Sequence, residues 1–237
     1  MDESVFRFKK FTVSHAQSSM KVGVDAVLLG AWAGMKASRI LDIGTGSGVI
    51  ALMMAQRFPE SRILGIDIDQ ASVEEAEFNF SHSPWSDRLT VKKESFPEDL
   101  INKVERFDLI VSNPPYFNSG IINPTTPREK ARHQDKLSVF SILKHAKSLI
   151  TEGGVIALIY PEEFHTEAKL HASNCGLVLI RQCFVRGNIN RPFKRVIAEF
   201  KNTKSAPNLI TEFLTLHQDN KPTEEYIKLC RNFYLKF

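Results

Sequence analysis

Three cysteines in 237 residues, at positions 175, 183 and 230, leave little material for covalent cross-links or metal centres. Their spacing forms neither a disulfide framework nor a zinc-binding pair, so a stapled secreted scaffold and a structural metal site are both excluded from the reading. No apolar run approaches the ~20 residues needed to span a bilayer. The opening Met1-Asp2-Glu3-Ser4 carries no basic segment with an apolar stretch behind it, and no secretory signal is expected. A soluble cytoplasmic protein in a reducing compartment, without membrane or metal partner and compatible with a monomer, is the expectation. Internal repeats and low-complexity tracts are also missing. The net charge of +4 is compatible with nucleic acid but too small to select it. The length suits one α/β domain with a sizeable core. We take 1–237 as a single domain, with an N-terminal extension over 1–20 and a C-terminal appendage over 206–237.

What is present begins at Ile40-Leu41-Asp42-Ile43-Gly44-Thr45-Gly46-Ser47-Gly48. A short apolar run opens into three glycines at alternate positions, and Val49–Ala55 continues as a helix-competent segment. Strand, glycine-rich turn and helix together let a backbone approach a nucleotide-like ligand closely. The spacing is not that of the dinucleotide fingerprint, because Asp42 precedes the first glycine. A carboxylate there disfavours a pyrophosphate and suits a cationic ligand, which points to S-adenosylmethionine (SAM), whose sulfonium and amino groups are positive. The next strand, Arg62–Asp67, ends in a second acid about 20 residues on, where a carboxylate can take both ribose hydroxyls. Asp69 competes for that role but reads more simply as the N-cap of a helix opening at Gln70.

Residues 113–116 read Asn-Pro-Pro-Tyr and follow the strand-like Phe107–Ser112. The Asn113 side chain offers a carbonyl acceptor and amide donors that can tie it back to the scaffold. Pro114 and Pro115 fix φ and donate nothing, so nearby carbonyls stay free for a ligand. Tyr116 adds a flat face. Two acceptors and a ring describe a clamp for an exocyclic amine. Pro-Pro after a strand is also ordinary punctuation, so a structural turn is the competing reading.

Charge is unevenly placed. Between 181 and 204, Arg181, Arg186, Arg191, Lys194, Arg195, Lys201 and Lys204 stand against one acid, Glu199. Arg128, Lys130, Arg132 and Lys136 form a weaker cluster, and Arg7, Lys9, Lys10 and Lys21 lie near Phe6, Phe8 and Phe11. Basic residues with interleaved aromatics suit RNA, whose phosphates supply affinity and whose splayed bases stack. A solvated surface is the alternative, and Phe6 and Phe8 also fit one face of a strand.

The periodicity predicts strands at 39–43, 62–67, 88–93, 107–112, 155–160, 177–185 and 194–201. It predicts helices at 48–57, 70–82, 137–149 and 161–174, an irregular stretch over 117–135, an edge strand at 210–218 and a short helix within 223–233.

Taken in order and spacing, the glycine loop, Asp67 and Asn-Pro-Pro-Tyr resemble the Rossmann-like, SAM-dependent amino-methyltransferases. Residues 20–33, Ser83-Pro84-Trp85 and the closing Arg231–Phe237 are similar to segments of the bacterial tRNA1(Val) (adenine(37)-N6)-methyltransferases, and the likeness covers nearly the whole chain. The resemblance implies an α/β class I fold: a mostly parallel seven-stranded sheet with an antiparallel C-terminal hairpin and helices on both faces. It implies SAM as cofactor, tRNA as partner and N6 of the adenine 3′ to the anticodon as acceptor. Lys21, Gly23, Asp25, Asp42, Gly44, Gly46, Gly48, Asp67, Ser95 and Asn113 would hold SAM. Ser95 stands where such enzymes usually place an acid for the SAM adenine, with Glu94 one place early. Asn113, Pro114 and Tyr116 would be catalytic. Pro115, Tyr116 and Phe117 would touch the base, and Arg186, Arg191, Lys194 and Arg195 the RNA. Guanine N2 in ribosomal RNA, a protein glutamine, and a non-catalytic SAM- or RNA-binding module remain as alternatives.

Overall fold

Strands β3 (Arg39–Ile43) and β6 (Phe107–Ser112) have apolar centres and are buried at nearly every position, on both faces. Strands of that kind occupy the middle of a parallel sheet covered by helices on each side. The computed structural model describes residues 4–16, 21–34, 36–100, 105–115, 137–205 and 207–237. Among these, β1 (Val5–Arg7) and β2 (Thr12–Ser14) form a small antiparallel hairpin. The large sheet adds β4 (Arg62–Asp67), β5 (Leu89–Lys93), β7 (Ile150–Pro161), β8 (Val178–Asn188), β9 (Arg195–Lys201), β10 (Ile210–Gln218) and β11 (Lys221–Pro222). Its order is β11-β10-β8-β9-β7-β6-β3-β4-β5.

Strands β5, β4, β3, β6 and β7 pair in parallel, and β9 is antiparallel to both β7 and β8, giving the expected hairpin. Among the described residues the sheet has nine strands rather than the expected seven. Beyond the hairpin, β10 adds parallel to β8 in the position expected of an edge strand, and the two-residue β11 folds back on it. Strand β7 begins at Ile150, earlier than the apolar run suggests, because Phe107 pairs with Ile150 across a register shift. The stretch 117–135 and the cluster at 128–136 lie outside the described residues.

Helices α1 (Val24–Trp32), α2 (Val49–Arg57), α3 (Gln70–Ser81), α4 (Val139–Ala146), α5 (His165–Asn174) and α6 (Glu224–Cys230) complete the layers. Alternate strand residues sort to opposite faces. Ile40, Leu109, Val111, Ile159 and Ile197 pack with α1, α2 and α6, while Leu41, Ile110, Ile156, Leu158 and Val196 pack with α4 and α5. Helix starts follow side-chain chemistry: Asp69, Ser138 and Thr223 each accept the N–H three residues on. None of the described helices is long and apolar enough to cross a membrane.

Phe8 and Phe11 are core residues, not an RNA surface. Their rings stack at 4.5 Å, Phe8 bridges to Tyr234, and Lys9 Nζ donates to the Arg231 and Phe237 carbonyl oxygens at 2.6 Å each. The first hairpin is thereby fastened to the last residues of the chain.

Candidate active site at the sheet's C-terminal edge

Ile43 leads directly from β3 into the glycine turn. Gly44, Gly46 and Gly48 have φ of 69°, 54° and 80°, which L side chains rarely adopt. The N–H groups of Gly44 and Thr45 both bond the Ile66 carbonyl at 2.9 Å, drawing the turn over the end of β4. A Cβ on Gly48 would lie 2.4 Å from Phe80 Cε1, whereas one on Gly46 would meet nothing within 4 Å. Gly48 is therefore required for packing on α3, and Gly46 borders open space.

Asp42 sits beneath this turn, fully buried. Its Oδ2 accepts from Thr45 Oγ1 at 2.7 Å, and its Oδ1 finds no partner among the described residues. Burial pushes the carboxyl up to about 7, and nearby Asp67 adds to the rise, against the Thr45 hydroxyl. Asp67 is half-buried at the end of β4, where Oδ2 accepts from Gly46 N at 2.9 Å and Oδ1 from Asp69 N at 3.0 Å. Asp69 caps α3, as expected, through Ser72 N at 3.0 Å. The Ser72 hydroxyl and N–H hold its carboxyl below the usual range.

The motif strand meets the glycine strand through Ser112, whose Oγ donates to the Ile43 carbonyl at 2.7 Å in a buried bond. Asn113 and Pro115 are half-buried and Pro114 is buried, one residue beyond that anchor. Sequence reasoning passed over Ser112, Thr45 and Asn79; Asn79 Nδ2 donates to the Ser47 and Ser14 carbonyls at 2.8 Å and ties the turn to the first hairpin. Thr45, three residues after Asp42, was a readable signal; the other two bonds join distant segments. Tyr116 and Phe117 lie outside the described residues.

The remaining expected residues divide. Lys21 and Gly23 are exposed ahead of α1, where Gly23 is the N-cap. Asp25 and Arg195, assigned separately to cofactor and RNA, form an ion pair at 2.8 Å. Ser95 Oγ donates to Glu98 Oε2 at 2.8 Å, so an acid stands beside the serine although none replaces it. Arg181 is held by Glu212 at 2.8 Å and lies 3.8 Å over the Trp32 ring. Arg191 and Lys194 are exposed in the β8–β9 turn, and Arg186 Nε donates to Thr215 Oγ1 at 2.8 Å.

Strand direction puts these groups on one edge. The ends of β3, β6, β7, β8 and β10 and the start of β9 lie together, since Pro161 pairs with Arg195 and Asn188 with His217. At about 4.8 Å per strand, the β8–β9 turn stands roughly 10–14 Å from Asn113 along that edge. An orphaned buried carboxylate oxygen, a second carboxylate and an open glycine turn fit a cationic, ribose-bearing group and not a pyrophosphate.

This fold and edge define a class I methyltransferase. A family model for the methyltransferase small domain matches residues 19–180. A solved structure described as a predicted O-methyltransferase from Agrobacterium tumefaciens shares the fold with a TM-score of 0.66 at 18% identity, over 88% of this chain and 96% of its own. The chain belongs to the tRNA1(Val) (adenine(37)-N6)-methyltransferase family. It is 39% identical to the member from Bacteroides thetaiotaomicron, with 99% of each chain covered. The member from Actinobacillus succinogenes is 40% identical, with 98% of each covered.

Proposed function

We propose that this protein transfers a methyl group from SAM to N6 of adenine 37, beside the anticodon of tRNA(Val), in the cytoplasm. The observation that supports the reading is the Ser112–Ile43 bond, which ties the strand end leading into Asn113-Pro114 to the strand end leading into the glycine turn. Asp42 would take the ligand's amino group and Asp67 the ribose hydroxyls, with Gly44, Gly46 and Gly48 letting the backbone come close. When bound, SAM supplies an electrophilic methyl on a sulfonium.

The adenine amine is a weak nucleophile because its lone pair is delocalised into the ring. In this mechanism the Asn113 side-chain carbonyl and the Pro114 backbone carbonyl each accept one N–H, which concentrates the lone pair on nitrogen. Both bonds strengthen as positive charge develops there, so they stabilise the transition state more than the ground state. The cationic amine passes its proton to water after transfer, so no general base is needed. Tyr116 stacks on the extruded base, whose unstacking costs a few kcal/mol. Arg191 and Lys194 contact phosphate.

Asn113→Ala is expected to slow single-turnover methylation of a tRNA(Val) transcript by about 10²–10³ at saturating SAM, the usual loss for one preorganised polar group, with RNA affinity nearly unchanged. A near-normal rate would overturn the clamp. Mass analysis of the digested transcript should show N6-methyladenosine at position 37; 2-methylguanosine, or no product, would overturn the substrate.

A further inference from the structure

Among the described residues, one face of the sheet past the hairpin is left partly bare. Alternate residues of β8 meet β10 across that face in register. Gln182 Nε2 donates to Thr211 Oγ1 at 2.9 Å, the Phe184 and Phe213 rings lie nearly parallel at 5.7 Å and 19°, and Arg186 bonds Thr215. Phe193, from the β8–β9 turn, leans on both rings, with centroids 6.1 Å from Phe184 and 5.5 Å from Phe213. The Arg186 guanidinium lies 5.0 Å over Phe193. Helix α5 reaches Phe184 through His165, ring to ring at 5.3 Å. Phe213 remains 64% exposed.

Because β8 and β10 run with β3 and β6, this ladder climbs toward the edge that holds Asn113 and ends beside Arg191 and Lys194. Glu162, whose N–H bonds the Lys194 carbonyl at 3.2 Å, is an acid at the same edge. Glu212 points to the opposite face, where it pairs with Arg181 and Trp32. An aromatic shelf bordered by cations complements a flat ring attached to phosphate. A second copy of the chain is a poorer occupant, since a two-fold contact brings the same cations toward each other.

We infer that Phe193, Phe213 and Arg186 form a stacking platform for an unpaired base of the RNA substrate, a binding point separate from the adenine that is methylated. The inference rests on the tRNA reading above. An exposed ring on a sheet surface, with an arginine beside it, binds single-stranded bases by stacking, with little sequence preference.

The test is fluorescence anisotropy and steady-state methylation with an unmodified tRNA(Val) transcript, using Phe213→Ala, Phe193→Ala and Phe213→Trp. Each alanine variant should weaken RNA binding about fivefold or more and raise KM for tRNA, with kcat and SAM affinity unchanged. Phe213→Trp should bind as wild type or better. The salt slope should not move, because no phosphate contact is lost. Normal affinity in both alanine variants, an equal loss in Phe213→Trp, or a loss of self-association without a loss of RNA affinity would each overturn the platform alone. Failure of the wild type to bind the transcript would overturn the tRNA reading as well.

Discussion

Replacing Asp42 with Asn separates the buried charge from the space it occupies. The amide keeps an oxygen for Thr45 but cannot ionise. In the wild type the carboxyl moves from 3.8 to about 7, chiefly because burial removes its hydration. Between those values the folded protein holds a proton that the unfolded chain has released. Stability is therefore expected to fall as pH rises from about 4 and to level off above about 7. The gap from 3.8 to about 7, at about 1.4 kcal/mol per pH unit, amounts to about 4 kcal/mol. The same linkage acts in reverse on a cationic ligand, which needs the ionised form. SAM affinity should rise about tenfold per pH unit up to about 7 and then flatten. Urea unfolding of both proteins from pH 5 to 8, with calorimetric SAM titrations alongside, checks both consequences. Subtracting the variant cancels groups that titrate elsewhere. Parallel stability curves for wild type and Asp42→Asn would refute the reasoning, as would a SAM affinity equally pH-dependent in both.

Asp67→Ala should weaken SAM binding by about 1–3 kcal/mol, the worth of charge-assisted bonds to ribose hydroxyls; unchanged calorimetric affinity would place the ribose elsewhere. Neutralising Arg191 and Lys194 together should lower the log–log salt slope of tRNA binding by roughly 1.5, at about 0.7–0.9 per phosphate contact. Adding Arg195, already paired with Asp25, should change that slope little. Gly48→Ala should destabilise the fold by roughly 2 kcal/mol or more, since φ is +80° and the new Cβ would strike Phe80, with thermal melting as the measure. Gly46→Ala, with open space around the site, should suffer only the backbone penalty.

The parts of the site that were legible in the sequence are those carried by short segments. The run from Ile40 to Gly48 encodes a strand, a turn and the acid beneath it within nine residues, and the structure keeps them together. The nine-strand count, the Ser112 anchor and the burial of Phe8 depend on partners far along the chain. Phe8 stacks on Tyr234 at 6.2 Å, and no local pattern distinguishes that ring from one waiting for a base.

The basic cluster at 181–204 shows how the missing information enters. Counting its cations treats them as equivalent, but a strand sends alternate side chains to opposite faces. On β8, Arg181 shares a face with the buried Cys183 and Val185, and that face packs on α1, where Trp32 holds it together with Glu212 of β10. On β9, Arg195 shares the face of Ile197 and meets Asp25 of α1. Arg186 has the other parity, with Gln182 and Phe184, and lies on the bare face. Arg191 and Lys194 belong to neither strand and stay exposed. Parity relative to Cys183, Val185 and Ile197 therefore separates Arg181 and Arg195, which hold the fold together, from Arg186, while Arg191 and Lys194 stay exposed because they lie in the turn.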